Sequence, residues 1–189
     1  MFKFYRPTNK PINQGFGKQH TLPNMLAFYV SLGILGHNGH DYACPYNTPF
    51  YFGGQRGLIE CIYWDTLGGN SLQIIEEYGG KIYRHLYFHL KDTVVKVGQM
   101  VETGDKLGHT DNTGTGTTGN HLHYGIKEVV KDQFGNYQTI NKDNGYKGCL
   151  DLALYDQGIY VVDFMNMLNS QLGLLQQIIN LIKKILGKK

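Results

Sequence analysis

At 189 residues the chain can bury one sizeable core, and 41% hydrophobic against 17% charged residues excludes a disordered acidic or basic chain. The net charge of +3 comes partly from Lys183, Lys184, Lys188 and Lys189 at the end, and no long basic stripe supports a nucleic-acid partner. Cys44, Cys61 and Cys149 lack CxxC spacing, so they read as small buried hydrophobes and not as a zinc finger or a disulfide framework.

The first residues, Met1 to Pro7, hold no apolar run of signal-peptide length, and no segment reaches the roughly 18 apolar residues of a spanning helix. With 25 glycines and 14 tyrosines, short strands joined by tight turns are expected, hence a mainly β domain. Gln14-Gly15-Phe16-Gly17 reads as a short strand with a bend, and residues 25–36 as a short helix or covering loop. His37-Asn38-Gly39-His40-Asp41-Tyr42 is a polar turn running into a strand, followed by a strand over Thr48–Phe52. Strands are then predicted over Leu58–Trp64, Ser71–Glu77 (closed by Gly79-Gly80) and Lys81–Leu90, with short pieces at Val94–Val97 and Lys106–Gly108. Thr110–Gly119 is a flexible loop, Leu122–Val130 a strand, and turns are expected at Gly135-Asn136 and Asn144-Gly145.

From about Val162 the pattern turns helical. Leu168, Leu172, Leu175, Ile178, Ile179, Ile182, Ile185 and Leu186 fall on one arc, and Gln176, Gln177, Asn180, Lys183 and Lys184 on the other. The chain therefore divides into residues 1–161 and a C-terminal amphipathic helix over 162–189. Two readings of that helix stand side by side. Its apolar face docks on the domain or on another copy, or it lies in a membrane interface with its lysines outward.

The chemistry gathers around Gly119-Asn-His-Leu-His-Tyr-Gly125. Side chains on a strand alternate, so His121 and His123 are expected on one face and Leu122 in the core. A catalytic Zn²⁺ takes three His or carboxylate ligands and leaves a position for water. His37, Asp41 and His123 supply such a set. His89 and His121 then remain as imidazoles for proton transfer or oxyanion stabilisation. Taken singly, each of these residues also fits a satisfied turn or an exposed strand end.

The joint order His-x-x-x-Asp, Tyr87-Phe-His-Leu90 and His-x-His resembles the lysostaphin-like (LytM-type) zinc metallopeptidases of peptidoglycan. The likeness covers about residues 12–160 and includes Val95-Lys-Val-Gly-Gln99 and the Gly/Thr-rich run before His121, although Asn120 stands where the family usually has proline. It implies a twisted antiparallel β-sheet with a substrate groove, one Zn²⁺ held by His37, Asp41 and His123, and His89 and His121 as the catalytic pair. Tyr83-Arg-His-Leu86 carries a similar signature, which makes His85 the alternative to His89; His40 occupies a spacer position and is read as a non-ligand. Loops 53–57, 65–70 and 110–119 are the expected groove walls.

The implied function is endopeptidase cleavage of peptidoglycan cross-bridges or stem peptides. The absence of a readable export signal points to a phage or prophage lytic protein, acting as endolysin or virion component. A virion tail part that keeps the fold, or a zinc amidase, is the alternative.

Overall fold

The computed structural model describes residues 2–186, with side chains through residue 183. Lys188 and Lys189, and the side chains of Lys184, Ile185 and Leu186, which the sequence places on the helix faces, lie outside the described residues. In chain order the elements are β1 (Phe4–Arg6), β2 (Ile12–Gln14), α1 (Leu26–Ser31), β3 (His40–Tyr42), β4 (Pro49–Tyr51), β5 (Arg56–Asp65) and β6 (Gly69–Tyr78). There follow β7 (Lys81–Thr93), β8 (Met100–Glu102), β9 (Lys106–Thr110), β10 (Leu122–Lys131), β11 (Tyr137–Thr139), β12 (Asp156–Tyr160) and α2 (Val161–Leu186).

Ten strands form one antiparallel sheet whose main path is β2-β3-β10-β7-β6-β5-β8; β11 adds to β10, β9 to β7, and β4 to β9. The mainly β, antiparallel expectation holds. The β6–β7 hairpin closes on Gly79 and Gly80 at φ 59° and 77°, and a two-residue turn with both residues left-handed matches the twist of the strands it joins. Among the described residues the exception to antiparallel pairing is β1 with β12, a parallel pair that joins the two ends of the domain.

Alternation sorts the central strands by face. Leu122, Tyr124 and Ile126 of β10 pack into the core with Tyr42, Leu72, Ile74, Tyr87 and Phe4, while His123 points to the opposite face. Each large apolar side chain withdrawn from water in this way contributes roughly 1.5–3 kcal/mol before chain entropy is set against it. The core therefore makes β10 and β7 a rigid support for what their other faces carry.

One predicted element is corrected, and one reading of another. Val94–Val97 is a turn and not a strand: Val95 is buried while Val94 and Val97 are exposed, and Gly98 turns the chain at φ 82° into β8. The helix α2 does not lay its apolar face on the domain. Val161 is buried and Phe164 stacks on Tyr5 with ring centroids 4.1 Å apart, but every residue from Asn169 to Lys183 is exposed.

Candidate metal centre and its groove

His37 enters the site from the turn before β3, Asp41 from β3 and His123 from β10, where His123 stands opposite Asp41 in the ladder. His37 Nε2 lies 3.1 Å from Asp41 Oδ1 and 3.1 Å from His123 Nδ1, and His123 Nδ1 lies 2.9 Å from Asp41 Oδ1. Four ligands around an ion at about 2.0–2.1 Å sit roughly 3.3 Å apart in a tetrahedron, so these three atoms are nearly at ligand spacing. All three residues are buried. Two imidazole nitrogens and one carboxylate oxygen suit Zn²⁺ in charge and softness.

The surroundings act on the three ligands in different directions. His37 Nδ1–H donates to the Gly15 carbonyl at 2.9 Å, which leaves Nε2 as the unprotonated nitrogen facing Asp41 and His123. Burial acts against the Asp41 charge, yet His37 beside it and the hydrogen bond from His123 hold the carboxyl well below its usual range. For His123 burial wins and lowers the imidazole pKa, against the pull of Asp41. For His37 burial opposes the charged form, but the Asp41 charge, its hydrogen bond and the Gly15 carbonyl together raise the pKa.

His89 reaches the same space through a β-bulge. Asn70 pairs with Leu90 and Leu72 with Tyr87, so Ser71 faces two residues of β7, Phe88 and His89. His89 takes a left-handed φ of 62°, a conformation that non-glycine residues adopt at a cost. The extra residue reverses the alternation. Tyr87 and Leu90 both enter the core, while Phe88 and His89 both line the groove. Its Nδ1–H donates to the Thr113 carbonyl at 2.8 Å, so the lone pair of Nε2 remains for other work. Burial first, then the neighbouring His121, push the His89 pKa down to about 4, so the ring is neutral at pH 7.

His121 lies just outside β10, bridged to Asp111, and not within the strand as its spacing from His123 suggests. Its Nδ1–H donates to the Gly119 carbonyl at 2.8 Å, and Nε2 stands 3.6 Å from Asp41 Oδ1, beyond the spacing of the other three. The His89 and His121 rings are 4.5 Å apart between centroids. His85 is elsewhere: it is fully buried on the core side between Glu76 and Tyr124. His40, between His37 and Asp41 in the chain, also keeps out of the cluster, which among the described residues comprises His37, Asp41 and His123.

These residues sit in a groove of about 550 Å³. One wall is the interlocked pair of loops 65–70 and 110–119, joined by Thr115 N–H to Thr66 O and Gly116 N–H to Leu67 O, both at 2.9 Å. The other wall is the segment before His37, with Leu22, Met25, Phe28, Tyr29 and Leu32. That apolar wall was not assigned a groove role from sequence. Loop 53–57, which was, lies away from the groove; Gly53 pairs with Tyr5 and Gln55 N–H donates to Glu76. Tyr29 was missed too: its hydroxyl accepts from Gln14, its ring lies 5.9 Å from His37, and burial, then Asp41, push its pKa up to about 12. The carbonyls of Gly15, Thr113 and Gly119 that orient the histidines leave no mark in a side-chain pattern.

Residues 35–142, more than half of the chain, match peptidase family M23. The peptidoglycan DD-endopeptidase ShyA of Vibrio cholerae serotype O1 is 38% identical over 95 residues, which are 50% of this chain and 21% of that protein. Lysostaphin of Staphylococcus simulans is 35% identical over 95 residues, 49% of this chain and 19% of the relative. The match thus spans about a fifth of the length of these relatives. Among solved structures, the catalytic domain of lysostaphin from S. simulans superposes with a TM-score of 0.52 at 29% identity, over 69% of this chain and 89% of that one. A zinc-containing peptidase from V. cholerae gives 0.53 at 29%, over 67% and 36%. The chain belongs to peptidase family M23, whose members are zinc metallopeptidases.

Proposed function

We propose that this chain is a zinc-dependent endopeptidase that hydrolyses peptide bonds in peptidoglycan cross-bridges or stem peptides, with residues 1–161 as the peptidase and 162–189 as a helical appendage. The observation that carries this reading is the His37–Asp41–His123 cluster, its donor atoms 2.9–3.1 Å apart in an open groove beside His89 and His121. The relatives add support, since ShyA is named a peptidoglycan DD-endopeptidase and ALE-1 of Staphylococcus capitis a glycyl-glycine endopeptidase.

His37, Asp41 and His123 would hold the ion. Zn²⁺ bound there lowers the pKa of its water and polarises a carbonyl, which amide hydrolysis requires. The remaining work falls to the chain. The groove admits an extended peptide between the apolar wall of Met25, Phe28 and Leu32 and the loop wall of Leu67, Gly116 and Thr117. His89, neutral and with Nε2 unprotonated, is ready to accept a proton from the attacking water and to return it to the leaving amine. His121, whose ring neighbours that of His89 at 4.5 Å between centroids, lines the same space and is the group that stabilises the oxyanion. His40 and His85 have no part in this scheme.

The same activity would serve a phage lysin that opens the wall during infection or release, the setting expected from sequence. The helix α2 is the proposed second contact surface of the chain, toward membrane or another copy. Digestion of purified peptidoglycan, with mass spectrometry of the products, tests the proposal. Expected are new amine and carboxyl ends between two amino acids, lost on chelation and restored by zinc. Cleavage at the sugar–peptide amide, or no release by zinc-loaded protein, overturns it.

A further inference from the structure

The helix α2 leaves the domain after its first two turns. From Asn169 to Lys183 every residue is exposed, and the leucines and isoleucines from Leu172 to Ile182 keep between 37% and 59% of their surface in water. An isolated helix of this length, roughly 27 Å over its last 18 residues, gains most of its stability by burying such a face against something. The domain does not cover it.

The pattern says what does. Beyond Phe164 and Met165, which pack on the domain, and with Leu168, Leu175 and Ile182 at a, the a, d, e and g positions from Met167 to Ile182 are apolar except Gln171, while b, c and f hold Asn, Ser, Gln and Gly up to Asn180. A strict seven-residue repeat keeps its seam facing a partner helix, whereas a 3.6-residue stripe drifts about 20° per heptad from it. A face that includes e and g as well as a and d is wider than a two-stranded seam needs and suits a helix with two neighbours, as in a four-helix bundle. Charge sets the direction. Residues 164–182 contain no charged side chain, with Asp163 before them and Lys183 after. Parallel neighbours would gather Lys183 and Lys184 of every copy at one end, whereas antiparallel neighbours divide them between the two ends, with the crossing near Leu175. Up to Asn180 the polar face holds neutral residues, with lysines only from Lys183 on, unlike a helix that is basic along its length and lies on anionic lipid, and no described helix is long and apolar enough to cross a membrane.

We infer that α2 assembles four copies of this chain through an antiparallel four-helix bundle, with peptidase domains at both ends. The assembly goes beyond the proposed activity and is read separately from it. Four sites on one particle raise the effective concentration of each at a polymeric wall.

Sedimentation equilibrium of the full chain tests this. The expected mass is about four times the 21.4 kDa of one chain, and the Leu175→Asn/Ile182→Asn variant is expected at single-chain mass with unchanged turnover of a small soluble peptide. In a Cys61→Ser background, mild oxidation is expected to link Leu174→Cys, near the crossing, into dimers and to leave Ile182→Cys unlinked. A one-chain or two-chain mass for the wild type overturns the bundle, also where the protein binds anionic vesicles, and self-linking of Ile182→Cys overturns its direction. Failure of the peptidoglycan digest would leave the mass unaffected, so the two readings fail independently.

Discussion

Gly39 lies so close to His123 that a Cβ on it would stand 2.7 Å from His123 Nε2 and 2.5 Å from the Tyr124 carbonyl. Neither neighbour yields easily, because β10 is fixed between β3 and β7 and Tyr124 is fully buried. Gly39→Ala is therefore expected to displace the ring of His123 from Asp41 and His37. Overpacking of this kind costs about 1–3 kcal/mol, and disturbed support of a ligand typically lowers metal affinity about 10–100-fold. Competition with a chromophoric chelator measures the affinity, and an unchanged zinc constant would show that the contact does not position His123.

Loss of ligand and loss of proton transfer should separate. His123→Ala is expected to lose zinc and activity together, because it removes one of three donors spaced 2.9–3.1 Å apart. His89→Ala and His121→Ala are expected to keep most of the zinc while the rate falls on the order of 10²–10⁴-fold. Metal content by mass spectrometry beside initial rates makes the comparison, and substantial activity in either His89→Ala or His121→Ala refutes the role given to that residue.

Zinc affinity should depend on pH in a stated direction. The His37 pKa is raised above its usual value in the zinc-free fold, despite burial, chiefly by the Asp41 charge. Below that pKa the ion must displace a proton from His37, so log K should climb by about one per pH unit and flatten once pH exceeds it. Asp41 adds no slope near neutrality, because its carboxyl is held well below the usual range. Calorimetric titration from pH 5.5 to 8 should show zinc binding weaken as pH falls; a constant affinity across that window contradicts the assignment of His37 as a ligand.

Much of this site was legible because its cause is local. His37 and Asp41 flank a glycine turn and His121 and His123 share a short segment, so spacing alone brings each pair close. What joins the pairs is the β3–β10 ladder, and the shared motif order stood in for it. The bulge at His89 was not legible, because it depends on how β7 pairs with β6, residues 70–72 against 87–90. Equally hidden were the parallel pairing of β1 with β12, across some 150 residues, and the placement of Leu22–Leu32 as a groove wall, which rests on contacts such as Leu35 N–H to Gly145 O. Val94–Val97 misled because alternation without a partner strand is only a turn with one buried valine.

The two similar histidine signatures in β7 make the last prediction, since parity and the bulge assign them to opposite faces. His85 Nε2–H donates to Glu76 Oε2 at 2.9 Å, and the Tyr124 hydroxyl donates to His85 Nδ1 at 2.7 Å, all in the core. Burial pushes the Tyr124 pKa well above the usual phenol value, which keeps that hydroxyl a donor. His85→Leu leaves the Glu76 carboxyl group, among the described residues, with the Gln55 N–H at 2.7 Å, and losing one partner of a buried hydrogen bond in this way costs about 1–3 kcal/mol. For a domain of this size that is a fall in Tm of roughly 2–12 °C. Glu76→Gln, which keeps a hydrogen-bonding group at the site, should lose less. Both variants should bind zinc and turn over substrate at temperatures where they remain folded, whereas His89→Ala should keep its Tm and lose its rate. A His85→Leu protein of wild-type Tm with a collapsed rate would exchange the roles of the two histidines.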